Sequence, residues 1–163
     1  MSCSRFLLAA LLLMSNVLAH AAGGPPHELR PGLYVGGQPD PAQLQALATQ
    51  GVTTVIDLRG ADEDRGYPEA ERVRALGLHY VALPVDGAAG VSEANARALQ
   101  QVLASSEGPV LLHCASGNRV GALLALVAHE RGASEEAAVA EGRAAGLGSL
   151  EPTVRARIRG TQP

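Results

Sequence analysis

The stretch VLLHCASGNRVG, residues 110–121, decides how this chain reads. It opens with an apolar run of the kind that forms a buried strand and ends that run on His113 and Cys114. Ala115, Ser116, Gly117 and Asn118 then make a loop of small residues, and Arg119 leads into a helix. A strand, loop and helix in this order gather backbone N–H groups, the positive end of the helix and a guanidinium at one point, which is a place for an anion. Thiolate is favoured over thiol in such surroundings. Cys114 is therefore the candidate nucleophile, with Arg119 and the backbone of residues 115–119 as the candidate anion cradle. Gly117 suits that loop because glycine accepts positive φ and lets a ligand approach the backbone closely.

Outward from this stretch, short apolar runs alternate with helical patterns. Residues 33–35 form a strand closed by Gly36 and Gly37. Asp40 is an N-cap with Pro41 at the first helical position, and Gly51 stops that helix after Thr49. The run from Val52 to Leu58 is the next buried strand, carrying Asp57 and Arg59 at its C-terminal end. A helix follows Pro68 and closes near Gly77; residues 79–83 form another strand, and Ser92 caps a helix to about Ala104. The strand at 110–113 is central, and helices are expected over 120–131, 134–145 and 152–159. Strands joined by helices of this length imply an α/β fold: a single domain with a mainly parallel sheet of four to five strands and helices on both faces. Ligands in such sheets bind at the carboxyl ends of the strands, where Cys114 stands.

The 163 residues show no internal repeat and suit one domain. Net charge is −3, all 13 basic residues are arginine and none form a run, so a nucleic-acid or membrane-surface partner is not expected. Three Tyr, one Phe and no Trp give no stacking platform for bases. Residues 1–21 read as a signal peptide: Arg5 precedes an apolar run, and Ala19, His20 and Ala21 form a small-x-small cleavage site. The run is shorter than the roughly 20 residues that span a bilayer. The expectation is a periplasmic or secreted protein without stable membrane insertion, with residues 22–28 as a linker and 29–160 as the domain. Cys3 would leave with the signal peptide, and Cys114 would then be a lone thiol in a compartment where cysteines otherwise pair.

Asp86 lies in a loop after a strand, 28 residues before Cys114. It is placed to supply a proton over the anion site, and a turn aspartate before Gly87 is an equal reading. For Asp57 and Arg59, at a strand end beside the site, a structural ion pair is the expected role. Asp62, Glu63 and Asp64 would repel an anion if they faced the site, and a solvated loop is expected there. Arg143 reads as a helix-surface charge. His27, His79 and His129 show no pair at ligand spacing, so no metal is expected.

HCASGNR, between a strand and a helix, resembles the signature loop of the cysteine-dependent phosphatases, the protein-tyrosine and dual-specificity superfamily. LYVGGQPDPAQLQALATQGVTTVIDLR (33–59) and HYVALPVDG (79–87) resemble the bacterial beta-lactamase-hydrolase-like family. The resemblance implies a phosphatase-like fold and hydrolysis of phosphate monoesters, on a protein or a small molecule, through a phosphocysteine intermediate and without a cofactor. It assigns Cys114 as nucleophile, Arg119 as the phosphate-binding arginine and Asp86 as general acid. It also has His113 brace the loop and Gln38 line the cleft. Two positions depart from the superfamily pattern. Four residues separate Cys114 from Arg119 where five are usual, a rhodanese length that implies an alternative: a sulfurtransferase with a persulfide on Cys114. An inactive anion-binding module is the third reading. Val120 stands where phosphatases carry Ser or Thr, with Ser116 as the candidate substitute.

Overall fold

Successive side chains of a strand point to opposite faces of its sheet, and here the apolar residues of the inner strands divide between two separate cores. The computed structural model describes residues 24–160, so the signal-peptide reading of 1–21 lies outside the described residues. Five strands form one sheet: β1 (His27–Arg30), β2 (Leu33–Gly36), β3 (Thr54–Asp57), β4 (His79–Ala82) and β5 (Val110–His113), in the order β1-β2-β5-β3-β4. The β2, β5, β3 and β4 strands run parallel; β1 pairs antiparallel with β2. Strand β5, buried along its whole length, lies in the middle. The residue that follows it therefore emerges at the centre of the sheet's carboxyl edge.

Among the described residues six helices cover the sheet: α1 (Pro41–Thr49), α2 (Glu69–Ala75), α3 (Glu93–Ser105), α4 (Asn118–Glu130), α5 (Glu135–Ala144) and α6 (Glu151–Ile158). On one face Val55 and Leu111 pack with Leu44 and Leu47 of α1 and Val73 of α2. On the other, Val35, Ile56 and Leu112 pack with Leu99 of α3 and Leu123 and Leu124 of α4. Helix α1 starts where the sequence indicates. Asp40 Oδ1 accepts from the N–H groups of Ala42 and Gln43 at 2.8 Å each, and Gln43 Oε1 accepts from Asp40 N at 3.0 Å, a capping box worth about 1 kcal/mol.

Helix α4 is apolar on every side, with Val120 through Ala128 all buried, because the sheet covers one face while α5 and α6 cover another. Its approach to α5 depends on Gly121: a Cβ there would lie 2.2 Å from Leu147 N and 2.4 Å from Gly142 O, both backbone atoms that cannot swing aside. Gly121→Ala is expected to cost about 3 kcal/mol, read as a lower urea midpoint. An unchanged midpoint would mean that the contact relaxes freely.

Several boundaries differ from the sequence reading. Strand β1 occupies residues 27–30, partly inside the expected linker, and HELR has no apolar alternation to announce an edge strand paired on one side only. Strand β3 starts at Thr54 instead of Val52. Helix α4 starts at Asn118, two residues early, because Gly117 at φ 88° turns the chain directly into the first helical turn.

Candidate active site

The loop after β5 is held on both sides. Cys114 N donates to Gly36 O at 3.4 Å, Gln38 N donates to Ala115 O at 3.2 Å, and Gly37 and Ser116 form an antiparallel bridge. The Gly36–Gly37–Gln38 segment after β2 is thus a wall of the loop. Cys114 is fully buried at the foot of the loop, among apolar residues of the larger core. Its Sγ accepts a hydrogen bond from Gly117 N at 3.1 Å. Asn118 presents only its backbone to the loop: its Oδ1 accepts from Gly148 N at 2.9 Å and Leu150 N at 3.3 Å, and its Nδ2 donates to Ser149 Oγ at 2.7 Å. That side chain ties the loop to the turn before α6. Val120 is fully buried in the core, so no hydroxyl follows the arginine, while Ser116 is half-buried in the loop.

Arg119, in the first turn of α4, interacts with Cys114 and with a residue the sequence reading set aside. Its Nη1 and Nη2 donate to Glu63 Oε1 and Oε2 at 2.5 and 2.7 Å, and Nη1 reaches Val85 O at 3.2 Å. Glu63 thus turns its carboxylate from the solvated loop onto Arg119, a correction to the expectation that the whole acidic stretch faces water; its neighbours Asp62 and Asp64 are exposed. The cause is local: Gly60 N donates to Glu63 Oε1 at 2.8 Å, a turn that swings the carboxylate inward. The hydrogen bond from Arg119 holds the Glu63 carboxyl below its ordinary range, and Glu63 in turn makes Arg119 harder to deprotonate. Charge pattern gave no sign of a pair made across 56 residues.

Asp86 is exposed, one residue from the carbonyl that accepts from Arg119. It lines a cleft of about 460 Å³ together with Gly60, Ala61, Asp62, Glu63, Pro84 and Val85. Gly90 N donates to Asp86 O at 2.7 Å, closing the turn that presents it.

Beneath the loop lies a buried charge network that joins β3, α2, β4 and β5. Arg59 Nε contacts Asp57 Oδ1 at 3.2 Å and its Nη2 contacts Glu69 Oε2 at 2.8 Å, while Arg65 Nε and Tyr80 Oη donate to Asp57 Oδ2 at 2.9 and 2.8 Å. Asp57 and Arg59 thus form the structural ion pair that was expected, and Glu69 is the partner that sequence did not reveal. His113 Nε2 lies 3.0 Å from Glu69 Oε1, without the alignment of a hydrogen bond, and its Nδ1 is 3.4 Å from Cys114 O. Burial alone would raise Asp57, but the charge of His113 and the hydrogen bonds from Arg59 and Tyr80 outweigh it and hold the carboxyl below its usual value. Burial and the bond to Asp57 push Tyr80 up to about 12. Asp57, Glu69 and His113 bring ligand-type atoms within 4.8 Å of one another. A metal ion does not suit them, because the Arg59 guanidinium already bridges the two carboxylates. Arg143 pairs with Glu151 at 2.7 Å on the exposed side of α5, as a surface charge.

A thiol at the end of a central parallel strand, a short loop and an arginine on the first turn of the next helix are the arrangement of the cysteine-dependent phosphatase superfamily, and the match to a phosphatase family model puts the chain in that superfamily. Within that superfamily the chain belongs to the PTP-NADK family, described as DSP-PTPase phosphatase fused to NAD+ kinase, whose model matches residues 23–154. It is 38% identical over 98 residues to the beta-lactamase hydrolase-like protein of Agrobacterium fabrum, a match covering 58% of this chain and 22% of that protein. The chain thus spans about a fifth of that relative's length. Among solved structures it is similar to nma1982 of Neisseria meningitidis, with TM-score 0.70 and 22% identity over 87% of this chain and 99% of that one. It is also similar to P. aeruginosa TpbA, crystallised in complex with pTyr, with TM-score 0.62 and 23% identity over 85% of each chain.

Proposed function

We propose that this chain is an exported cysteine-dependent phosphatase that hydrolyses phosphate monoesters through a phosphocysteine intermediate. The observation that carries the reading is the Cys114 sulfur at the end of β5, which accepts from Gly117 N at 3.1 Å, followed by Arg119 on the first turn of α4. In the first step Cys114 Sγ attacks phosphorus, the S–P bond forms as the ester P–O bond breaks, and Asp86 gives its proton to the leaving oxygen. Arg119 and the backbone N–H groups of residues 115–119 hold the remaining phosphoryl oxygens. In the second step water gives a proton to Asp86 and attacks phosphorus, the S–P bond breaks, and inorganic phosphate leaves. No cofactor enters either step.

Cys114 is fully buried, and the cleft lined by Glu63 and Val85, which bond Arg119, is the route by which a phosphoryl group reaches the loop, displacing the Glu63 carboxylate. Glu63→Gln removes that competing negative charge and is expected to tighten competitive inhibition by inorganic phosphate about 3- to 10-fold. A weaker or unchanged inhibition constant would place Glu63 outside the field of the anion site. The Glu63–Arg119 pair also has a pH signature. Because the folded carboxyl is held low by Arg119, its contribution is complete above the ordinary carboxylate range and is lost as pH falls through the lowered value. Glu63 is more than a third exposed, so solvent screening keeps that contribution small.

Asp86→Asn is expected to lower kcat about 10²-fold on an alkyl phosphate, whose leaving oxygen needs a proton, and much less on an aryl phosphate. The pH–rate profile should lose the limb set by a protonated acid. Equal turnover by Asp86→Asn and the unaltered protein on the alkyl ester would show that Asp86 is not the acid. Membership of a phosphatase family supports ester hydrolysis over sulfur transfer from the same loop. Export rests on the reading of residues 1–21 and is checked by the N-terminal sequence of the protein recovered from a bacterial periplasm.

A further inference from the structure

We propose that the cleft lined by Glu63 and Val85, the two residues that bond Arg119, selects a single phosphoryl group on a neutral or cationic carrier, with Asp62 as a specificity-determining residue; this deepens the phosphatase reading above and rests on it. The cleft has three acidic side chains in its lining, Asp62, Glu63 and Asp86, and no basic one. The cations at this end of the sheet are already engaged. Arg119 holds Glu63 through both terminal nitrogens, and Arg59 and Arg65 are tied to Asp57 and Glu69 beneath the loop. Every basic residue of the chain is an arginine, so no lysine stands in reserve. Binding a second phosphate would require another cation at the rim, since arginine or lysine is what recognises such groups. A second anionic group next to the reacting phosphoryl instead meets the exposed carboxyl of Asp62. A basic side chain in that position is attracted by the same group.

Opposed charges a few ångströms apart near a surface change affinity about 3- to 10-fold each at low ionic strength, and salt shrinks the effect. The test compares kcat/KM of the full chain on p-nitrophenyl phosphate, on phosphotyrosine peptides flanked by arginine or by glutamate, and on inositol hexakisphosphate. The arginine-flanked peptide is expected to exceed the glutamate-flanked one by about 10-fold at low salt, with the hexakisphosphate slowest. Asp62→Arg should erase or reverse that order. Equal rates on both peptides, or an order untouched by Asp62→Arg, would overturn the inference. The Kd values of the same peptides for Cys114→Ser protein provide a reading independent of turnover. The same preference there supports the inference even where hydrolysis is absent, which would count against the phosphatase reading alone; equal Kd values overturn it.

Discussion

Cys114→Ser is expected to abolish hydrolysis of p-nitrophenyl phosphate, lowering kcat by about 10³-fold or more, because a hydroxyl in this loop is a far weaker nucleophile than a thiolate. The substitution changes one buried atom in a side chain whose neighbours are fixed by the Gly36–Gln38 wall and by Gly117. The fold and the anion cradle should therefore survive. Two measurements separate loss of chemistry from loss of structure: the urea midpoint and the Kd for inorganic phosphate, both expected to stay close to those of the unaltered protein. Turnover by Cys114→Ser within about tenfold of the original would remove the sulfur from the mechanism.

Arg59→Met should have the largest effect on stability. Arg59 is 2% exposed and bridges Asp57 and Glu69, whose side chains are wholly buried. Removing it leaves Glu69 without that cation and Asp57 with Arg65 as its remaining arginine partner. Breaking a buried pair in this way typically costs about 3–5 kcal/mol, chiefly the penalty of an uncompensated buried charge. The check is equilibrium urea unfolding. The dependence on pH follows from the sign of the shift at Asp57. Its folded carboxyl is held low, so the network's contribution is complete above the ordinary carboxylate value and is lost as pH falls through the lowered one. The gap between Arg59→Met and the unaltered protein should narrow on acidification, as the stranded carboxylates take up protons. A gap that widens would mean that the network is not held together by ionised carboxylates.

The parts legible in the sequence are those written in consecutive residues. The apolar run before His113 gave the central strand, the small residues after Cys114 gave the loop, and Asp40 followed by Pro41 gave the start of α1. Glu63 and Glu69 were not legible as partners of Arg119, Arg59 and His113, because those pairings are made by chain crossover and not by spacing. A run of acidic residues looks the same whether it faces water or a guanidinium. Strand β1 was missed for a related reason: an exposed edge strand needs no apolar alternation, and its partner β2 supplies the order. The close approach of α4 and α5 was equally silent, since nothing in one sequence distinguishes Gly121 from a glycine that merely weakens a helix.

A covalent bond between phosphorus and the Cys114 sulfur is the central step of the proposed reaction, and rapid acid quench during turnover of an aryl phosphate, followed by mass spectrometry of the peptide containing Cys114, tests it directly. The predicted result is that peptide carrying one phosphoryl group, labile to hydrolysis and absent from Cys114→Ser protein. Hydrolysis that proceeds with the phosphoryl group on another residue, or a Cys114 peptide that carries an added sulfur atom in its place, would contradict the account.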